Sequence, residues 1–184
     1  MLVGMASPRI LAGSAKGKAL KVPPRGTRPS PARLREALFD IIAFEPRGRF
    51  LDLYAGSGAM GLEAASRGWE AVCVDLSRSA AAVARANARD LGLAVAVLLG
   101  DAVAYARAHP GEFDVLVAAP PYPDDLPAIF AALLASGAVR PSGLYVFQHP
   151  SELASPALPA ALAGAEVRRK QYGTNTLTLV RAPT

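Results

Sequence analysis

The chain has one cysteine, Cys73, and two histidines, His109 and His149. A lone cysteine closes no internal disulfide, and so few ligands build no Cys/His zinc cluster, so no metal is expected. A single free thiol fits a reducing compartment. No uninterrupted apolar run approaches the ~18 residues that span a bilayer. No apolar stretch follows a basic start, so no secretion signal is read. These absences predict a soluble, cytoplasmic protein with no membrane partner, whose natural start is Met1 or Met5. Charged residues are only 19%, while hydrophobic residues make up 52% of 184. That length and composition predict a folded chain with a full core rather than a disordered polymer. The 16 glycines and 16 prolines show no period, which excludes collagen.

The net charge of +5 is unevenly spread. Residues 1–50 carry ten Lys/Arg against three Asp/Glu, and residues 51–184 carry ten against twelve. The cations of the first stretch are Arg9, Lys16, Lys18, Lys21, Arg25, Arg28, Arg33, Arg35, Arg47 and Arg49. A basic arm ahead of a near-neutral body suits a polyanion, although a merely solvated surface has the same composition. Pro23, Pro24, Pro29 and Pro31 break any long amphipathic helix there, which argues against a membrane surface.

Loose alternation over 9–22 predicts a β-hairpin turning at Ser14–Gly17. Residues 23–30 read as a loop. Ser30 serves as N-cap and Pro31 as first residue of a helix over about 31–44. From Phe50 onward short apolar strands alternate with helices. Strands are predicted at Phe50–Tyr54, Ala71–Asp75, Ala94–Leu98, Asp114–Ala118 and Leu144–Gln148. Helices are predicted at about 58–67, 78–91, 102–108, 125–136 and 156–163. Two final strands, Glu166–Tyr172 and Thr174–Val180, turn at Gly173 with no helix between them. The fold class is α/β: a doubly wound, Rossmann-like sheet, mostly parallel, ending in an antiparallel hairpin. Residues 1–45 read as a basic appendage and residues 46–184 as the main domain.

The strand–loop–helix segment Leu51-Asp52-Leu53-Tyr54-Ala55-Gly56-Ser57-Gly58-Ala59-Met60-Gly61 carries the central motif. Gly56, Gly58 and Gly61 match the dinucleotide fingerprint, and Asp75 follows at the end of the second strand, where it can accept from ribose hydroxyls. Asp52 repels a pyrophosphate but suits a ligand with a positive ammonium, such as S-adenosylmethionine; a loop brace is its plainer role. Asp101 can accept from an adenine amino group and Ala102 N–H can donate to the ring, while Asp101 also fits as the cap of the helix at 102–108. Ala55, Ser57 and Leu76 complete the predicted cofactor set. After the fourth strand, Ala119-Pro120-Pro121-Tyr122 stiffens the crevice edge and offers a ring on which a base can stack, or else simply closes the strand.

Three groups of residues carry a family resemblance. The first is Asp52-x-x-Ala55-Gly56-Ser57-Gly58 with Asp75, Asp101 and Pro120-Pro121-Tyr122. The second is Arg9-Ile-x-x-Gly13-x-x-Lys16-Gly17-x-x-Leu20-x-x-Pro23. The third is Arg28-Pro29-Ser30, Arg33 and Arg35-Glu36-Ala37-Leu38-Phe39. Together with the run from Phe50 to Ala64, they resemble the RsmD-type 16S ribosomal RNA guanine-N2 methyltransferases over nearly the whole chain. The resemblance implies S-adenosylmethionine as methyl donor and N2 of one guanine, position 966 in 16S numbering, as acceptor. It implies 16S rRNA in an assembled or partly assembled small subunit as partner. Arg9, Lys16, Lys18, Arg28 and Arg33 would touch RNA, and Ala119, Pro120, Pro121 and Tyr122 would form the catalytic loop. Ala119 departs from the pattern, since the family has Asp or Asn there to accept from the target amine. The backbone carbonyl of Pro120 is an available substitute. Two other readings stay open: a non-catalytic RNA-binding module on this scaffold, and a NAD-dependent oxidoreductase. Cys73 lies inside a predicted strand and is no cytosine-methylating nucleophile; His149 reads as structural or as bordering the substrate side.

Overall fold

The computed structural model describes residues 7–23 and 31–184. Helices and strands alternate as α1 (Ala32–Ile41), β1 (Arg49–Leu53), α2 (Ala59–Ser66), β2 (Glu70–Asp75), α3 (Arg78–Leu91), β3 (Ala96–Leu99), α4 (Ala102–Ala108), β4 (Phe113–Ala118), α5 (Leu126–Ala135), β5 (Val139–Pro150), β6 (Glu166–Tyr172) and β7 (Asn175–Arg181). One seven-stranded sheet has the order β3-β2-β1-β4-β5-β7-β6. The first five strands run parallel, and β7 pairs antiparallel to both β5 and β6. This is the doubly wound sheet with a terminal antiparallel hairpin that the strand pattern predicts.

Apolar alternation sends side chains to both faces. Phe50, Val115, Val117, Leu144, Val146, Leu177 and Leu179 meet Leu34, Leu38 and Phe39 of α1 on one face. Leu51, Leu53, Leu116, Tyr145 and Phe147 meet Phe130, Leu133 and Leu134 of α5 on the other. The edge strand β3 is less covered, and Leu98 and Leu99 stay exposed. Local signals set the helix ends. Ser77 Oγ accepts from Ala80 N–H at 3.3 Å at the start of α3, and Gly92 closes that helix with φ 67°.

Three predictions need correction. No α-helix forms at 156–163; Pro156 and Pro159 interrupt the stretch, and only a single 3-10 turn at Ala160–Leu162 remains. The hairpin over 9–22 is reduced to one bridge, Arg9 with Ala19. It is closed by Ile10 N–H to Lys18 O at 3.0 Å and Gly17 N–H to Ile10 O at 2.8 Å. Pro31 stands at the cap of α1 rather than in its first turn; Ser30 and Arg28 lie outside the described residues.

What fastens the N-terminal segment is polar as well as apolar. Ile10, Ala15 and Leu20 are buried against Ala59, Leu62, Ala88 and Leu91. Ser14 N–H donates to Ser66 O at 2.8 Å, and Ala15 N–H to Ser66 Oγ at 2.9 Å. Gly13 makes this approach possible: its φ is +85°, and a Cβ there would lie 1.9 Å from Ser66 O. Glu63 and Arg35 are both fully buried. Glu63 accepts from Leu11 N–H at 2.8 Å, Ala12 N–H at 3.2 Å and Arg67 Nε at 2.9 Å, with Arg35 Nε at 3.4 Å. Arg35 also donates to Arg9 O at 2.6 Å. Breaking such a buried pair by removing one partner costs roughly 3–5 kcal/mol.

Candidate functional site

The strand order reverses between β1 and β4, which form the switch point of the sheet. Leu53 and Ala118, the last paired residues of these strands, are register partners. The glycine loop and the Ala119–Tyr122 loop therefore leave the sheet side by side. The sequence separates them by more than sixty residues; the topology makes them neighbours.

On the β1–β2 side, carboxylates organise backbone. Asp75 accepts from Gly56 N–H at 2.9 Å through one oxygen and from Ser77 N–H at 2.8 Å through the other. Asp52 is 3% exposed and accepts from Gly61 N–H at 2.9 Å. This is the loop brace, joining the end of β1 to the first turn of α2. Burial pushes the Asp52 carboxyl up to about 7, with the nearby charge of Asp75 adding to the rise and the Gly61 bond opposing it. Gly61 lets the helix lie against the strand, since a Cβ there would sit 2.3 Å from Cys73 Sγ. Gly58 occupies the N-cap of α2 with φ 85°, and Gly56 has φ 56°. Asp101 caps α4 by accepting from Ala104 N–H at 2.8 Å. Ala102 is buried behind it, and Ala55 donates its N–H to Val74 O at 3.1 Å. Ser57 is buried, whereas Leu76 is 73% exposed beside Asp75.

On the β4–β5–β7 side, the contacts run between side chains. The Pro121 carbonyl accepts from Asp124 N–H at 3.0 Å, which folds the loop after β4 into a turn. Tyr122 is 44% exposed, and its hydroxyl donates to Asn175 Oδ1 at the start of β7. Gln148, at the end of β5, is also hydrogen-bonded to Tyr122. Burial raises the Tyr122 phenol above its ordinary value, so the ring is neutral.

Two residues outside the predicted site set matter here. Tyr54 has φ 60°, which costs a non-glycine residue on the order of 1–3 kcal/mol and is concentrated at functional sites. Burial, with Asp101 and Asp124 nearby, pushes its phenol up to about 12. Asn87 is 2% exposed; it accepts from Lys21 N–H at 2.9 Å and donates to Lys21 O and to Ser57 O, each at 3.0 Å. It clamps the N-terminal segment to the glycine loop. No signal in the sequence marked Asn87, because its partners lie 30 and 66 residues away.

The predicted RNA-contacting residues do not gather at one place. Lys16 and Lys18 are exposed near the C-terminal end of α2, about 12 Å of helix from the glycine loop. Arg9 is exposed but donates to Gly17 O at 2.8 Å. Arg35, counted among the cations of the basic arm, is fully buried and cannot touch RNA. Burial lowers its pKa, which Glu63 opposes. Arg33 does reach the crevice end of the sheet, where its guanidinium lies 5.9 Å from the Tyr172 ring centre. His149 is fully buried and structural: Nδ1–H donates to Pro150 O at 2.8 Å, so Nε2 accepts from Thr178 Oγ1 at 2.7 Å. Cys73 is buried inside β2, where burial holds its thiol well above the ordinary value. No group of three or more His, Cys, Asp or Glu side chains able to hold a metal occurs among the described residues.

The family described as conserved hypothetical protein 95 matches residues 8–181. The chain belongs to that family, the RsmD family. It is 32% identical to the Bacillus subtilis protein named "Putative rRNA methyltransferase YlbH", over 94% of this chain and 98% of that one. It is 48% identical to the Escherichia coli ribosomal RNA small subunit methyltransferase D over 61 residues, 32% of this chain and 31% of that one. Among solved structures, a hypothetical protein of Thermus thermophilus is 48% identical, with a TM-score of 0.81 over 94% of this chain and 98% of that one. Family membership and fold thus agree with the resemblance drawn from the motifs. Among the described residues no helix is long and apolar enough to cross a membrane.

Proposed function

We propose that this protein is an S-adenosylmethionine-dependent RNA methyltransferase that modifies N2 of a guanine in 16S rRNA, at position 966. The observation that carries the reading is the adjacency of Leu53 and Ala118, which brings the glycine loop beside a loop that presents an aromatic ring. Relatives named as rRNA methyltransferases support the same chemistry. The residues fit the donor. Gly56 and Gly58 adopt the positive φ, 56° and 85°, that the turn of the loop requires. Asp75 can accept from ribose hydroxyls, since a carboxylate has about four acceptor sites and two backbone donors use only part of them. Leu76 offers an apolar platform to the adenine, with Asp101 and the Ala102 N–H at its edge. Asp52 acts on the amino-acid end of the ligand through the loop it braces, with Ala55 and Ser57 lining that loop.

S-adenosylmethionine supplies an electrophilic methyl group on a sulfonium. The chain's part is positioning. Tyr122 holds the flipped guanine by stacking, which replaces base stacking lost from the RNA. Its hydroxyl, tied to Asn175, fixes the ring plane. The Pro120 carbonyl accepts from the target amine, in place of a side chain at Ala119. Pro120 and Pro121 keep that carbonyl from turning away. The amine proton leaves to water after transfer, so no strong general base is needed. Residues 1–45 serve as the RNA-binding appendage, with Arg9, Lys16, Lys18, Arg28 and Arg33 meeting phosphate, and 46–184 as the catalytic domain. The partner is 16S rRNA in an assembled or partly assembled small subunit, in the cytoplasm.

Mass spectrometry of 16S RNA from a strain lacking this gene tests the reading. One guanine should lose its N2 methyl group, and added protein with S-adenosylmethionine should restore it on isolated small subunits. RNA that keeps every methyl group would sink the proposal. Ala119 lends some weight to a second reading, a binding module without transfer; single-turnover assays on unmodified subunits separate the two.

A further inference from the structure

The edge strand β6 carries three consecutive cations, Arg168, Arg169 and Lys170. Strand alternation sorts them. In the antiparallel ladder Arg168 lies opposite Leu179, Lys170 opposite Leu177 and Tyr172 opposite Asn175. Residues directly opposite share a face. Leu177 and Leu179 belong to the core under α1, so Arg168, Lys170 and Tyr172 face the α1 side. Arg169 faces the other way, where it donates to Leu153 O at 2.9 Å and to Ser151 O and Ser155 Oγ at 3.3 Å. Arg169 is thus used up internally, whereas Arg168 and Lys170 meet no carboxylate within ion-pair distance among the described residues.

The row has a direction. Arg168 is exposed and Lys170 half-buried, and the row ends at Tyr172 with Arg33 over its ring. Tyr172 is paired with Asn175, the residue that holds the Tyr122 hydroxyl. Three cations and two aromatic rings therefore lead along one face to the loop after β4. Alternate strand residues stand about 7 Å apart, which gives long flexible side chains reach to successive phosphates. A basic line with interleaved rings is the chemistry of a single-stranded nucleic acid groove. An acidic polypeptide would answer the charge but not the rings.

We propose that Arg168, Lys170 and Arg33 form a phosphate track for the single-stranded RNA next to the target nucleotide, with Tyr172 as a stacking step before Tyr122. The track rests on the RNA reading above and shares only Arg33 with the N-terminal appendage. It is tested by measuring RNA affinity against salt for wild type, R168A/K170A and R168K/K170R. Each single-strand phosphate left without its cation should lower the slope of log K against log salt by about 0.7, so R168A/K170A should be shallower by about 1.4. KM for RNA should rise, while affinity for S-adenosylmethionine and Tm stay at the wild-type values, and R168K/K170R should keep the wild-type slope. A wild type that binds RNA with a slope equal to that of R168A/K170A overturns the track and leaves the function standing. A wild type that binds no RNA overturns both. Polyglutamate competing as well as RNA of equal charge assigns the surface to an acidic protein and also overturns the track.

Discussion

The two halves of the crevice are built by different chemistry. In the β1–β2 half, Asp52, Asp75 and Asp101 all accept from backbone N–H groups at 2.8–2.9 Å. These bonds set the loop conformation before any ligand arrives. In the β4–β5–β7 half the contacts are neutral: Tyr122 to Asn175 and Gln148, with the ring itself 44% exposed. A site for a small, invariant donor profits from a rigid cradle. Under the proposed function, a base leaving a folded RNA profits from an exposed ring on a short leash. The contrast makes a general prediction: substitutions in the first half change donor affinity, and those in the second change kcat/KM for RNA alone.

Asp75→Ala should give the largest effect. It removes the proposed ribose acceptor and frees two loop N–H groups at once. S-adenosylmethionine affinity should fall by the equivalent of roughly 1.5–3 kcal/mol, measured by calorimetry. Unchanged affinity would remove Asp75 from the site. Tyr122→Ala comes next: kcat/KM for unmodified small subunits should drop by roughly 5- to 150-fold, the equivalent of ~1–3 kcal/mol, with donor affinity spared. If donor affinity falls too, the two halves are one unit and the contrast fails. Ala119→Asn should keep or raise kcat, because it adds a side-chain acceptor beside the proposed Pro120 carbonyl. A clear loss in kcat would mean that the loop has no room for that acceptor.

The smallest effect on activity is expected from Asp52→Asn, which sharpens the contrast through pH instead. The native carboxyl titrates at about 7, above its ordinary value of 3.8. Between these values the folded protein binds more protons than the unfolded chain, so this group lowers stability as pH rises from about 4 to about 7. Asparagine still accepts from Gly61 N–H but does not titrate. The variant's Tm should therefore decline less than wild type over that window. Superimposable Tm–pH curves would show that Asp52 is not sealed as its 3% exposure indicates.

Local signals read well from sequence alone. The glycine loop, the capped helices at 78–91 and 102–108, and the helix-free final hairpin are all where periodicity and punctuation put them. What sequence concealed was long-range. Charge placed Arg35 on the RNA side, but its environment is set by Glu63, twenty-eight residues on. Arg168 and Lys170 escaped notice because the acids of the same half cancel them in any running sum of charge. Only the pairing with β7 shows that two of three neighbouring cations share a face. The helix expected at 156–163 does not form because Pro156 and Pro159 interrupt the stretch.

The strand order also fixes a sequence of events during synthesis. β7 occupies the slot between β5 and β6, although β6 leaves the ribosome first. Until residues 175–181 emerge, β6 has no partner strand and β5 has a bare edge. Asn175 cannot then hold the Tyr122 hydroxyl. The N-terminal segment waits as well, for Glu63, Ser66 and Asn87, which follow their partners by 51 to 66 residues. The parallel pairs of β1 to β4 can thus form on the nascent chain well before the β5–β7–β6 edge exists, and the final strand completes that edge.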